Sequence, residues 1–254
     1  MASVDRRSLC RPIESKLSSF HRLTAEEIEV VHNAITDVHS HQRGSELRAA
    51  EAGGRRRMVL SGWMAWVAHI PDGRRQIISL ALPGELLDGG PVEGVHVGYA
   101  PIGIAQTGDA SRLIALAERP DRPYPGLSEA WARARRAAAD RMIHHVLRLG
   151  RLSAYERTAS LFLELHDRQR RSGQADERSM PLRLTQEVLS DILGLSAVHV
   201  NRILQQLRRD ELIVFRAGRV VFSDLERMRR AAGQVDRTLP PPQPQGALCP
   251  TAQT

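Results

Sequence analysis

Between residues 23 and 35 the chain reads LTAEEIEVVHNAI. Leu23, Ile28, Val31 and Ile35 recur there at helical intervals, and Thr24 stands where a helix takes its cap. Residues 1–20, ahead of this helix, are polar and predict a flexible N-terminus. From about 37 to 118 the period changes. The apolar stretch VLSGWMAWVAHI, the turn PDG, the stretch RRQIISLAL and then PGELL follow one another, and Trp63, Ala65 and Val67 alternate at period two. Short strands with turns at roughly ten-residue spacing predict a small β-barrel or sandwich, with Trp63 and Trp66 in it, one facing inward and the other outward. Arg55, Arg56 and Arg57 read as a solvated turn.

Near residue 126 the pattern turns helical again. In LSEAWARARRAAADRMIHHVLRLG, the residues Leu127, Trp131, Ala134, Ala138, Met142, His145 and Leu149 recur at threes and fours in one narrow seam rich in alanine. Such a seam suits a coiled-coil contact or a helix laid along its own barrel. A second helix over 152–171 has a wider apolar face of Tyr155, Ala159, Leu161, Phe162 and Leu165. The polar stretch SGQADERS separates it from the last unit, and from 233 onward a proline- and glutamine-rich sequence predicts a disordered tail.

Residues 182–222, LRLTQEVLSDILGLSAVHVNRILQQLRRDELIVFRAGRVVF, carry the densest local signal. Thr185 caps a short helix ending near Leu193. Gly194 supplies a tight turn, Leu195 fills its inside, and Ser196 caps the next helix. Val200, Ile203, Leu204 and Leu207 form the core face of that second helix. Ala197, Val198, His199, Asn201, Arg202, Gln205 and Gln206 lie opposite. This is a helix-turn-helix, and ELIVFRAGRVVF adds two β-branched runs about Ala217-Gly218, a hairpin that fits a wing.

Composition sharpens this reading. The 254 residues carry 36 Lys+Arg against 29 Asp+Glu, a net charge of +7, and every cation but Lys16 is arginine, which favours polyanion partners. At 42% hydrophobic the chain is an ordinary globular one, and at 4% aromatic its cores must be aliphatic. Cys10 and Cys249 make neither a disulfide framework nor a zinc spacing. No apolar run approaches the ~18–20 residues of a membrane span, and no signal-peptide pattern opens the chain, so a soluble cytoplasmic protein is expected. Nucleophile elbow, P-loop, GxGxxG and HExxH are all missing, which argues against an enzyme.

LTQEVLSDILGLSAVHVNRILQQLRRDELI resembles the DNA-binding segment of the CRP/FNR family of bacterial transcription regulators. LGRLSAYERTASLFLEL is similar to the helix opening that domain, and LSGWMAWVAHIPDGRRQIISLALPGELL resembles the middle of the family's cyclic-nucleotide-binding-like β-roll. The resemblance spans roughly residues 20–230 in the family's order. It implies an α+β chain: a β-roll sensor domain (21–125), a dimerisation helix (126–151) and a C-terminal winged helix-turn-helix domain (152–232), flanked by the flexible residues 1–20 and the tail 233–254. It also implies a homodimer on a palindromic double-stranded DNA site, paired through the seam helix, with RNA polymerase as a further partner and a hinge near Gly150–Ser153 that relays a signal from the β-roll.

Base contacts are expected from Arg202, Asn201, His199, Val198 and Ala197. Arginine suits guanine, asparagine suits adenine, and apolar side chains suit the thymine methyl. Arg202 matches the family's arginine six positions after the capping serine. Val198 and Ala197 depart from it, standing where a glutamate and often an arginine occur. Thr185, Gln186, Ser196 and Arg208 are expected at phosphates, with Arg208 open to being surface charge alone. The sensor half departs further. Asp88-Gly89 stands where a cyclic-nucleotide site needs Gly-Glu, and no Arg-Ser/Thr-Ala follows, so a bound cyclic phosphate would be left uncompensated. One N-terminal cysteine is too few for an iron–sulfur sensor. No cofactor is assigned, haem stays open, and His39 and His41 read as exposed residues before a metal pair. A protein-interaction or heterodimerising regulator is the alternative.

Overall fold

The computed structural model describes residues 6–48 and 56–233; the expected tail, apart from Gly233, lies outside them. Two helices come first, α1 (Arg6–Phe20) and α2 (Ala25–Ala34). Thr24 and Glu27 close a reciprocal capping box at the start of α2, which satisfies two otherwise orphaned backbone donors. Residues 1–20 were expected to be flexible, but from Arg6 onward they are helical. Cys10, Ile13 and Leu17 fall on one face at helical spacing and are buried against α2 and the helix Pro125–Arg151. Burying three apolar side chains offsets the hydrogen bond that Pro12 removes inside this helix.

The β-roll follows as β1 (Thr36–His41), β2 (Leu47–Arg48), β3 (Arg57–His69), β4 (Arg75–Ala81) and β5 (His96–Asp109). These form one antiparallel five-stranded sheet in the order β1-β5-β3-β4, with β2 also on β5. Trp63 is buried inward and Trp66 is half-buried. Arg57, expected in a solvated turn, is instead buried on β3, donating to the Asp37 carboxylate at 3.3 Å; Arg56 is half-buried, and Arg55 lies outside the described residues.

After α3 (Ser111–Ala117) comes α4 (Pro125–Arg151), a helix of 27 residues with proline at its first turn. The third unit holds α5 (Ala154–Arg171), β6 (Ser179–Pro181), α6 (Gln186–Leu193), α7 (Ala197–Arg209), β7 (Ile213–Arg216), β8 (Arg219–Phe222) and α8 (Leu225–Ala231). Its core of Phe162, Leu165, Leu189, Leu193, Val200, Leu207 and Phe222 is continuous with Trp63, Val67, Ile77 and Leu80 of the β-roll. The last unit therefore packs on the sheet and does not hang free from α4.

The seam on α4 is where the structure departs most from expectation. Leu127 and Trp131 are buried against α1, α2 and α3, and His145 is buried as well, so none of them has surface to offer a second subunit. Ala134, Ala138, Met142 and Leu149 are half-buried, and the first three line a cavity against the β-roll. A different stripe is exposed: Ala132, Arg136, Ala139, Ile143, Val146 and Gly150, with Leu147 beside it. Its spacing of fours and threes is that of a coiled-coil contact.

Candidate nucleic-acid interface

The helix-turn-helix is built by local signals that agree with one another. The Thr185 hydroxyl accepts from the Val188 amide at 3.3 Å to start α6. Gly194 ends it in the left-handed region at φ 63°, and the Ser196 hydroxyl accepts from the His199 amide at 3.2 Å to start α7. Val200, Ile203, Leu204 and Leu207 anchor α7 in the core. That fixes which side of the helix faces out: Val198 is 73% exposed, and His199, Asn201, Arg202, Gln205 and Gln206 are exposed around it, with Ala197 half-buried at the rim.

Among the described residues none forms an ion pair or hydrogen bond with the Arg202 side chain, so its five donors are available to an outside acceptor. Asn201 Oδ1 accepts from Gln186 Nε2 at 3.4 Å, joining a candidate base reader to a candidate phosphate contact. Thr185, Gln186 and Ser196 all lie exposed at the helix starts. Backbone amides at such ends favour anions.

Arg208 is engaged differently. Its guanidinium lies 4.5 Å from the centre of the Phe215 ring, tying the end of α7 to β7. The β7–β8 hairpin turns at Ala217 (φ 46°) and Gly218 (φ 74°), and two positive φ values in a two-residue loop match the right-handed twist of the strands. The hairpin projects Arg216 as a further exposed cation, and Arg183 and Arg209 are exposed nearby in the chain.

Behind this surface lies a buried ionic cluster that sequence reasoning missed. Glu85, at the Pro83-Gly84-Glu85 turn of the β-roll, accepts from Lys16 Nζ at 2.6 Å, from Arg168 Nη2 at 2.5 Å and from the Leu82 amide at 3.1 Å; Arg141 approaches it to 3.6 Å. Glu164 pairs with Arg168 at 2.8 Å and with Arg148 at 2.5 Å. Arg168 also donates to the Leu80 carbonyl. Burial pushes the Glu85 carboxyl up, but Arg168, Lys16 and Arg141 outweigh it and hold the group well below the ordinary range; Glu164 is lowered in the same way. Burial pulls Lys16 down to about 8, with Glu85 opposing. The cluster joins α1, the β-roll, α4 and α5, so the two ends of the molecule share one set of charges. Gly84 allows the approach of α1, since a Cβ there would stand 2.8 Å from the Pro12 carbonyl oxygen.

A cavity of about 320 Å³ opens between the β-roll and α4, lined by Trp66, Gly89, Tyr99, Ala134, Ala138 and Met142 among others. The Gly89 amide donates to the Tyr99 hydroxyl at 2.5 Å, and Asp88 lies 4.0 Å from Arg135 at the surface. Burial raises the Tyr99 phenol, keeping it neutral. His39 and His41 are engaged with Asp37 and Thr107, each at 2.9 Å.

Residues 156–231 match the family profile of a Crp-like helix-turn-helix domain. The nitrogen fixation regulation protein FixK of Bradyrhizobium diazoefficiens is 31% identical over 178 residues, covering 68% of this chain and 72% of that protein. The solved structure of FixK2 from Bradyrhizobium japonicum aligns with a TM-score of 0.59 and 26% identity over 77% of this chain and 96% of that one. A CRP/FNR-family regulator of Thermus thermophilus shares the fold, with a TM-score of 0.53 at 18% identity over 78% of this chain and 98% of that one. No helix among the described residues is long and apolar enough to cross a membrane.

Proposed function

Since the chain belongs to the CRP/FNR family, whose members are DNA-binding transcription regulators and not enzymes, we propose that it binds a palindromic operator in the cytoplasm as a homodimer. The exposed outer face of α7, with Arg202 on it unpaired among the described residues, is the observation that carries this reading. Arg202 holds a guanine edge, Asn201 and His199 read neighbouring bases, and Val198 and Ala197 pack on thymine methyls. Thr185, Gln186 and Ser196 set the register on phosphates, while Arg208 braces the wing through Phe215.

Two subunits pair through the exposed stripe of α4, with Ala132, Ala139, Ile143 and Val146 meeting their equivalents. This places the two recognition helices about 34 Å apart, one turn of DNA. The signal acts at the β-roll and is not a cyclic nucleotide: Glu85 is committed to buried cations, and Asp88-Gly89 supplies no Gly-Glu pair to the cavity. RNA polymerase is the further partner on bound DNA.

The test is selection of bound duplexes from random DNA, with wild type and Arg202→Ala in parallel. A wild-type palindrome that relaxes at one base pair per half-site in the variant is the expected result. A surface as apolar as Val198 also suits a protein partner, and that second reading predicts no enriched motif from either protein.

A further inference from the structure

At the end of the β-roll where β3 finishes and β5 begins, three side chains converge that the DNA-binding reading leaves unused. His69 and His96 are directly opposed on the paired strands, with ring centres 5.1 Å apart. Glu46, from the segment leading into β2, reaches across them. One carboxylate oxygen lies 3.1 Å from Nε2 of His96, and the other lies 3.6 Å from Nε2 of His69. One ligand atom from each residue can be chosen so that all three lie within 4.8 Å of one another.

We propose that Glu46, His69 and His96 form a binding site for a divalent transition-metal ion of the zinc or cobalt kind. Two imidazole nitrogens and one carboxylate oxygen match the donor set that such borderline ions take, leaving a fourth position for water. Bonds of about 2.0 Å in a tetrahedron hold the ligand atoms about 3.3 Å apart. The three ligand atoms, one per residue, now lie within 4.8 Å of one another, so closing on an ion requires the side chains to draw together and one carboxylate oxygen to serve both sides. Gly98 is part of the design. A Cβ there would overlap the Glu46 carboxylate, so glycine leaves room for this side chain in its present position over β5 beside the two rings. Among the described residues no lysine or arginine pairs with Glu46; its partners are the two histidines. The site also adjoins the DNA-binding unit. His69 is paired across the hairpin with Arg75, whose Nε donates to Asp191 of α6 at 2.6 Å.

Untagged full-length protein, stripped with chelator, is titrated with Co²⁺ under visible absorption and with Zn²⁺ by calorimetry. The expected result is one equivalent bound per chain, with ligand-field bands of four- or five-coordinate Co²⁺ that Zn²⁺ bleaches. His96→Ala and Glu46→Gln each weaken the affinity at least tenfold, and His39→Ala/His41→Ala leaves it unchanged. Gly98→Ala, which crowds out Glu46 while keeping all three ligands, also weakens binding. Circular dichroism confirms that each variant folds. Wild type binding no more tightly than His69→Ala/His96→Ala overturns the proposal, as does binding that vanishes in His39→Ala/His41→Ala instead. DNA selection is a separate readout and stands or falls independently.

Discussion

Replacing Glu85 by glutamine keeps the shape and removes one charge from the centre of the buried cluster. Glu85 is 5% exposed and faces Lys16, Arg168 and Arg141. In the wild type, Lys16, Arg141, Arg148 and Arg168 share Glu85 and Glu164, four cations against two carboxylates. The substitution leaves Glu164 alone among them. Removing one partner of a buried ion pair costs about 3–5 kcal/mol, because the remaining charge stays desolvated without compensation. Glu85→Gln is expected to lose that amount in urea unfolding. Lys16→Met, which removes a surplus cation from the same place and fills similar volume, is expected to lose under about 1.5 kcal/mol. The three tryptophans, Trp63, Trp66 and Trp131, all lie ahead of α5, so fluorescence follows the N-terminal part of the chain and far-ultraviolet circular dichroism follows the whole. The two signals should coincide in the wild type and separate in Glu85→Gln, as the DNA-binding unit loses its ionic attachment. A Glu85→Gln loss below about 1 kcal/mol with coincident transitions would refute the clamp.

Acid should act through the same carboxylates. The folded-state pKa values of Glu85 and Glu164 are depressed, so their stabilisation is complete above the unfolded value near 4.5 and disappears as pH falls through the folded values. Stability measured from pH 5 downward should therefore fall less steeply in Glu85→Gln than in wild type. Lys16 titrates in the opposite window: between about 8 and 10.5 the unfolded chain holds the proton that the folded chain has lost, so stability rises with pH there, and Lys16→Met abolishes the rise. Ile143→Glu/Val146→Glu, both on exposed positions of α4, should abolish the proposed dimer in sedimentation while changing the unfolding free energy of the monomer by no more than about 0.5 kcal/mol. Ser196→Ala removes the α7 cap and should cost about 1 kcal/mol of stability, with a proportionally larger loss of DNA affinity, read by fluorescence anisotropy, if the freed His199 amide also serves a phosphate.

The parts legible in the sequence were those whose cause is local. Thr185, Gly194 and Ser196 lie within a dozen residues, and the core face of α7 repeats at one period, so cap, turn and burial all point to the same local structure. The strands of the β-roll were legible for the same reason, through alternation about Trp63 and the PDG turn. The ionic cluster was not. Lys16 and Arg168 meet Glu85 across 69 and 83 positions, and no pattern along the chain records that closure. Glu46 and His96 are likewise 50 positions apart. The helix at Arg6–Phe20 was within reach: Cys10, Ile13 and Leu17 carry the helical period, which the surrounding Arg, Ser and Pro12 obscured.

The α4 seam shows a different limit, one of ambiguity more than of distance. The helix carries two apolar stripes, Leu127–Leu149 and Ala132–Gly150, whose centres lie about 120° apart at 100° per residue. Both contain alanine, and both repeat at threes and fours. What separates them is bulk at the N-terminal end. Leu127 and Trp131 can only be covered by the chain's own α1, α2 and α3, because leaving Trp131 on a solvent face would expose a large ring, and its indole nitrogen donates to Glu118 at 2.9 Å. Once that stripe is taken by the β-roll side, the bulky residues left over are Ile143, Val146 and Leu147 at the C-terminal end, 52–64% exposed and close to the start of α5. A second copy meeting there would bear on the junction that joins α4 to the DNA-binding unit. Pairing would then fix the spacing of the two recognition helices at the point where each is attached.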